Sequence, residues 1–271
     1  MINKEHYAKE VKGFCEIAKK LPKDCQPESA IFAPYTFEKY AEAPKRIFFV
    51  GIDSAGWINF KEMLEDYNNN NVEHYLEKNT KVVSVQGENQ DGTDKHSLDK
   101  NSSWRCNHMS RFWPFCQKLY IYIMTGELVN VTDFTKEHYD LLEGAGYGNL
   151  SLVEIKKGWL EKIHKCEDRD LVKELHAYVN GMEKFEHLFQ AYEHPDLIIV
   201  LGQRGYRNDV LEGLEAKKIE SNEFADVFKL GKYNSHVIWT YHPSARKNSA
   251  FRSEVLQRLG TTARKLLGLV K

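Results

Sequence analysis

The chain has 271 residues, 42% hydrophobic and 12% aromatic, enough apolar material for a sizeable core, which excludes a globally disordered protein. Its formal net charge of −1 excludes a polycation, so any contact with nucleic acid has to come from a local patch. The longest aliphatic run, residues 197–201, is far too short to span a bilayer; the first six residues are polar and unlike a signal peptide; and the five cysteines include no Cys-x-x-Cys pair. A reduced, cytoplasmic protein with no membrane association and no obligate protein partner is the expectation.

The first apolar run, residues 46–52, reads as a buried strand and ends abruptly in Gly51-Ile52-Asp53-Ser54-Ala55-Gly56. The small residues after Asp53 let a ligand approach the backbone, where a carboxylate can orient a water or stabilise a developing cation. An Asx-turn or helix cap is the competing use of Asp53. A helical insert with a loop is expected around residues 60–105, with a polar break at Asn68-Asn69-Asn70-Asn71 and a Gly-, Asn- and Ser-rich loop over 87–103. Aromatic candidates for stacking on a planar ligand are Trp57, Phe60 and Trp113, with Trp57 preferred because it adjoins the first loop.

Residues 109–124 predict a helix, and residues 127–131 a second strand that runs into Thr132-Asp133. Spacings of three and four between Leu171, Leu175, Tyr178, Met182, Phe185 and Phe189 predict an amphipathic helix ending before Pro195. Residues 196–201 and 236–240 predict two more buried strands. The last leads into Tyr241-His242-Pro243-Ser244-Ala245-Arg246, where Pro243 holds His242 extended and a neutral imidazole can donate to a developing anion, a structural histidine paired with a backbone carbonyl being the competing use. A final helix is marked by Phe251, Val255, Leu259 and Ala263. Strands alternating with helices imply a single domain over 1–271, built on a parallel sheet covered on both sides, with ligands bound beyond the carboxyl ends of its strands.

Gly51-Ile52-Asp53-Ser54-Ala55-Gly56 together with His242-Pro243-Ser244-Ala245-Arg246 resembles the uracil-DNA glycosylase superfamily, which carries a Gly-x-Asp-Pro or Gly-x-Asn-Pro loop after its first strand and a His-Pro-Ser loop after its last. Residues 197–202 and 131–136 resemble the family's intermediate motifs, so the match covers four short islands. The resemblance implies a three-layer α/β/α sandwich around a central four-stranded parallel sheet. It also implies hydrolysis of the N-glycosidic bond of a damaged base flipped out of DNA, with no metal or other cofactor.

By residue it implies Asp53 and His242 as the catalytic pair. Gly51, Ile52, Trp57 and Asp133 would bind the base, with Asn149 as an alternative to Asp133. Ser244, Arg246 and Lys247 would contact DNA, Arg246 in the wedge position. A basic C-terminal run of Arg246, Lys247, Arg252, Arg258, Arg264, Lys265 and Lys271, offset by Glu254, adds a second reason to expect DNA, although a solvated helix face has the same composition.

The sequence departs from the family at Ser54-Ala55, where a proline is usual, and at Asp133, where an asparagine is usual. An ionised aspartate only accepts hydrogen bonds, which argues against uracil and for a base offering an amino group. No cysteine framework for an iron–sulfur cluster is present, and Cys106, His108 and Cys116 fit no zinc spacing. A non-catalytic protein of the same fold that binds a nucleobase, a nucleotide or DNA, and an unrelated small-molecule hydrolase, are the alternatives.

Overall fold

The computed structural model describes residues 4–37, 39–52, 59–83, 112–153, 163–202, 204, 208–243 and 249–270. The sheet is seven-stranded, in the order β1-β3-β2-β4-β7-β6-β5. Its inner block is four mutually parallel strands: β2 (Ile47–Gly51), β3 (Ala145–Asn149), β4 (Leu197–Leu201) and β7 (Ser235–Thr240). The expectation of a four-stranded sheet is therefore corrected. Two-residue β1 (Tyr35–Thr36) pairs antiparallel with β3, and the antiparallel hairpin of β5 (Ala216–Ser221) and β6 (Ala225–Leu230) extends the sheet beyond β7.

Alternation along each strand divides the apolar side chains between the two sheet faces. Phe48, Val50, Ile198, Val200 and Trp239 join one buried cluster. Helices α1 (Lys4–Ala18), α2 (Phe60–Asn68), α6 (Arg169–Met182) and α7 (Glu186–Ala191) contribute to it through Phe14, Met63, Leu175 and Leu188. Helix α3 (Val72–Val83) adds Tyr75. Ile47, Phe49, Ile199, Leu201 and Ile238 join the second cluster, with α4 (Phe112–Thr125), α5 (Lys136–Leu142) and α8 (Ser249–Leu266) supplying Leu119, Leu142 and Leu259. Each such side chain, removed from water, contributes roughly 1.5–3 kcal/mol to the gross driving force.

Several local expectations change. Residues 127–131 are not a strand: Leu128 is 55% exposed, and Val131–Asp133 form a 3-10 turn leading into α5. The second parallel strand is instead the glycine-rich Ala145–Asn149. Its Gly146 faces the Phe48 ring with no room for a Cβ, so the sequence gives up β-branched residues for a close aromatic contact. The amphipathic pattern over 171–189 is two helices, α6 and α7, broken at residues 183–185. The Asn-rich break does separate two helices, α2 and α3, with Asn70 at φ 54°, a left-handed turn that asparagine tolerates. The predicted loop at 87–103 and residues Cys106 and His108 lie outside the described residues.

β5 is an exposed edge, blunted by Lys217 and Lys218 and by a register shift between Lys218 and Glu220. Among the described residues, no helix is long and apolar enough to cross a membrane.

Candidate functional site

Two strand ends build the site. β2 and β3 run in register, so their last residues, Gly51 and Asn149, are neighbours across the sheet. Tyr147, two residues before Asn149, points to the same face. Its hydroxyl donates to Asn149 Oδ1 at 2.9 Å. Burial pushes the Tyr147 phenol well up, so the hydroxyl keeps its proton and stays a donor. That bond fixes the Asn149 amide, whose Nδ2 is buried and has no hydrogen-bond partner among the described residues. A buried NH2 of this kind is able to donate to a ligand acceptor.

Gly51 has to be glycine for this arrangement to exist. A Cβ there would stand 2.6 Å from Asn149 Oδ1, 3.1 Å from the Tyr147 hydroxyl and 3.5 Å from the Phe112 ring. Phe112, the first residue of α4, thus closes over the end of β2. On its other side it stacks with His242, the ring centroids 5.6 Å apart and the planes inclined by 23°. Trp113 and Tyr147 continue the aromatic wall, 4.5 Å apart.

His242 follows β7 by two residues and is half-buried. Burial lowers its pKa from the ordinary histidine value, which favours the neutral imidazole. The preceding residue is held from outside the site: Arg204 Nη2 donates to the Tyr241 hydroxyl at 3.2 Å, and its guanidinium lies 5.1 Å from the Tyr241 ring centre. Arg204 follows β4, and these contacts brace the loop that carries His242.

The structure makes Gly51 and Asn149 neighbours and sets both Gly51 and His242 against the Phe112 ring; the Ile52 side chain turns to the other face of the sheet, its Cγ1 3.2 Å from the Cβ position of Gly202. Asp133 does not join them. It is exposed on the 3-10 turn, its carboxylate accepts from Thr132 at 3.2 Å, and the strand expected to carry it does not form. Asn149, not Asp133, ends the second parallel strand. Phe60 is core, edge-on to Phe14, and Trp113 is 4% exposed. Asp53, Trp57, Ser244, Arg246 and Lys247 lie outside the described residues.

Tyr147 and Phe112 are the site residues that sequence reading passes over. The signal for Tyr147 is its place in a Gly-Tyr-Gly-Asn run, where two glycines bracket one large side chain.

The basic helix is also less free than its composition implies. Arg264 donates to the carbonyls of Ile123 at 2.7 Å and Tyr122 at 3.3 Å, near the carboxyl end of α4, and to Leu269 at 3.3 Å. Arg258 pairs with Glu254 at 3.0 Å and lies 4.4 Å from the Phe224 ring centre. Both are structural contacts. Cys15, Cys25, Cys116 and Cys166 are buried thiols outside any disulfide; burial raises Cys15 to about 12 and Cys25 to about 11, so neither is a ready nucleophile.

The fold defines a mixed α/β protein whose parallel strands end at one edge, the place where open α/β sheets generally bind ligands. No protein-family model and no curated protein matches the chain.

Proposed function

We propose that the chain is a DNA glycosylase-like hydrolase that reads the imide or lactam edge of a deaminated base with Asn149. The observation that carries the reading is the Asn149 amide itself: buried, held by Tyr147, at the end of the second parallel strand, with Nδ2 unpartnered among the described residues and His242 across the Phe112 ring. An amide fixed in this way presents one acceptor and one donor side by side. Uracil (N3–H beside O4) and hypoxanthine (N1–H beside O6) present the complementary pair, whereas cytosine and adenine present the reverse. Replacing Asp133 by Asn149 in the base-reading role removes the argument against uracil.

In the reaction a water adds to C1′ of the deoxyribose, the C1′–N bond breaks, and its electron pair leaves with the base. Neutral His242 donates a hydrogen bond to the departing base anion, Phe112 stacks on the flipped ring, and Asp53 orients the water and stabilises the oxocarbenium-like sugar. Ser244, Arg246 and Lys247 would grip the flanking phosphates and fill the gap in the stack. The motif order supports the same reading. The Gly-x-Asp loop follows the first parallel strand, an asparagine ends the second, and the His-Pro-Ser loop follows the last.

The deciding experiment incubates the protein with duplexes carrying one deoxyuridine, one deoxyinosine or no lesion, and measures abasic sites by alkaline strand cleavage. Product is expected from a lesion duplex only, and is lost in Asp53→Ala; no product from any duplex would refute the activity.

One observation favours a second reading, a protein that binds a base or DNA without cleaving it. The buried Phe112 ring bridges from the Gly51 backbone to His242 on the sheet face toward which the Asn149 side chain points, where a flipped base would have to sit. Lesion binding without product, unchanged by Asp53→Ala, would select it.

A further inference from the structure

On the opposite face of the sheet from the Asn149 side chain, three side chains converge that the reaction above does not use. His6 and Glu10 are four residues apart on α1 and share a face of that helix. His187, in the first turn of α7, meets them from a segment 181 residues away. His6 Nε2 lies 3.0 Å from His187 Nδ1, His187 Nδ1 lies 3.7 Å from Glu10 Oε1, and all three donor atoms lie within 4.8 Å of one another. A tetrahedral ion with bonds of about 2.0–2.1 Å holds its donors about 3.3 Å apart. The observed spacings bracket that value, so small side-chain movements suffice.

We infer that His6, Glu10 and His187 form a binding site for a divalent transition-metal ion of the zinc class, which clamps α1 to α7. Two imidazoles and one carboxylate make a borderline donor set, suited to zinc, cobalt, nickel or ferrous ions rather than to calcium or magnesium. Three protein ligands leave a position for water, and the three side chains, each partly buried, keep one side open to supply it.

An independent observation lies one step out. Glu10 Oε2 accepts from the Tyr178 hydroxyl at 2.9 Å, which orients Oε1 toward His187, and Gly13 leaves the room that this hydroxyl occupies. Outer partners of this kind aim ligating carboxylates at metals.

The site has a defined place in the fold. His187 and Tyr7 line one side of the small cavity whose other side is Val50, Gly148 and Asn149. The ion would therefore fasten helices that back the strand ends carrying the proposed base-reading edge.

The test uses untagged, chelator-treated full-length protein and Zn2+ or Co2+ alone, and it is independent of any activity on DNA. One equivalent of Zn2+ is expected by calorimetry, with a rise in Tm. Co2+ should develop visible d–d absorption of a four- or five-coordinate ion. His187→Ala and Glu10→Gln should each weaken Zn2+ binding by more than about 100-fold, and Tyr178→Phe by about 10- to 100-fold. Absence of stoichiometric binding, or wild-type affinity in His187→Ala, would overturn the proposal. Should the variants fail to fold, the wild-type protein decides: Co2+ should broaden the His6 and His187 ring resonances before those of the other histidines, and uniform broadening would count against the site.

Discussion

Replacing Asn149 by alanine, Tyr147 by phenylalanine, and then both, separates the hydrogen bond at the strand end from the packing around it. The two side chains are 6% and 5% exposed, and the bond between them is 2.9 Å long. Asn149→Ala leaves the Tyr147 proton buried with no acceptor, at a cost of about 1–3 kcal/mol. In a chain of this size that lowers Tm by roughly 2–4 °C per kcal/mol. Tyr147→Phe removes the donor instead and leaves Oδ1 unpaired, with a loss of similar size. The double variant leaves neither orphan, so its loss should fall short of the sum by about 0.5–3 kcal/mol. Urea unfolding of the four proteins at a common m-value measures this coupling. Additivity within about 0.3 kcal/mol would show that Tyr147 does not hold the Asn149 amide, and the reasoning about its fixed orientation would fail.

Gly51→Ala drives a methyl into Asn149 Oδ1 and the Tyr147 hydroxyl; it should cost about 1–3 kcal/mol in urea unfolding and displace the amide, so lesion cleavage or binding falls with it. Arg264→Ala should lower the Tm through loss of its bonds to Tyr122, Ile123 and Leu269, while the salt dependence of DNA binding stays unchanged; a shallower salt slope would return Arg264 to the phosphate contacts. Burial lowers the pKa values of His176, His236 and His242, so on acidification the unfolded chain takes up their protons first. Their contribution to stability is full above the ordinary histidine value of about 6.5 and is lost as pH falls below it; His242→Gln should reduce that acid slope in urea midpoints taken from pH 8 to 5. If neutral His242 serves the leaving base, lesion cleavage should hold its rate to a lower pH than an ordinary histidine would allow, and a loss already complete at the ordinary value would contradict that role.

The parallel strands with continuous apolar runs were legible because both faces are buried, and β2, β4 and β7 fall within one residue of the expected bounds. β3 was not, because its strand character rests on tertiary packing. Gly146 and Gly148 carry no β-propensity of their own, and they are there to admit Phe48. The run at 127–131 has the composition of a strand but no partner to pair with, and it lies at the surface. That exchange moved the proposed base-reading position from Asp133 to Asn149. Helix α1 was passed over although its buried Tyr7, Val11, Phe14 and Ala18 recur at helical spacing, and the β5–β6 hairpin because β5 is exposed along its whole length and so shows no burial pattern. His242 was legible from the proline after it. Its stacking partner Phe112 was not, because nothing local distinguishes the first aromatic of a buried helix from the others.

The most direct measurement follows the Asn149 side-chain NH2 by NMR in protein labelled with 15N-asparagine. The titrant is a duplex whose deoxyuridine carries a 2′-fluorine, which destabilises the sugar cation and prevents cleavage. The account predicts that the Asn149 amide protons shift downfield as Nδ2 meets O4 of the flipped base, and that a matching thymine-free, lesion-free duplex leaves them in place. Binding of the lesion duplex with unmoved Asn149 protons would contradict it.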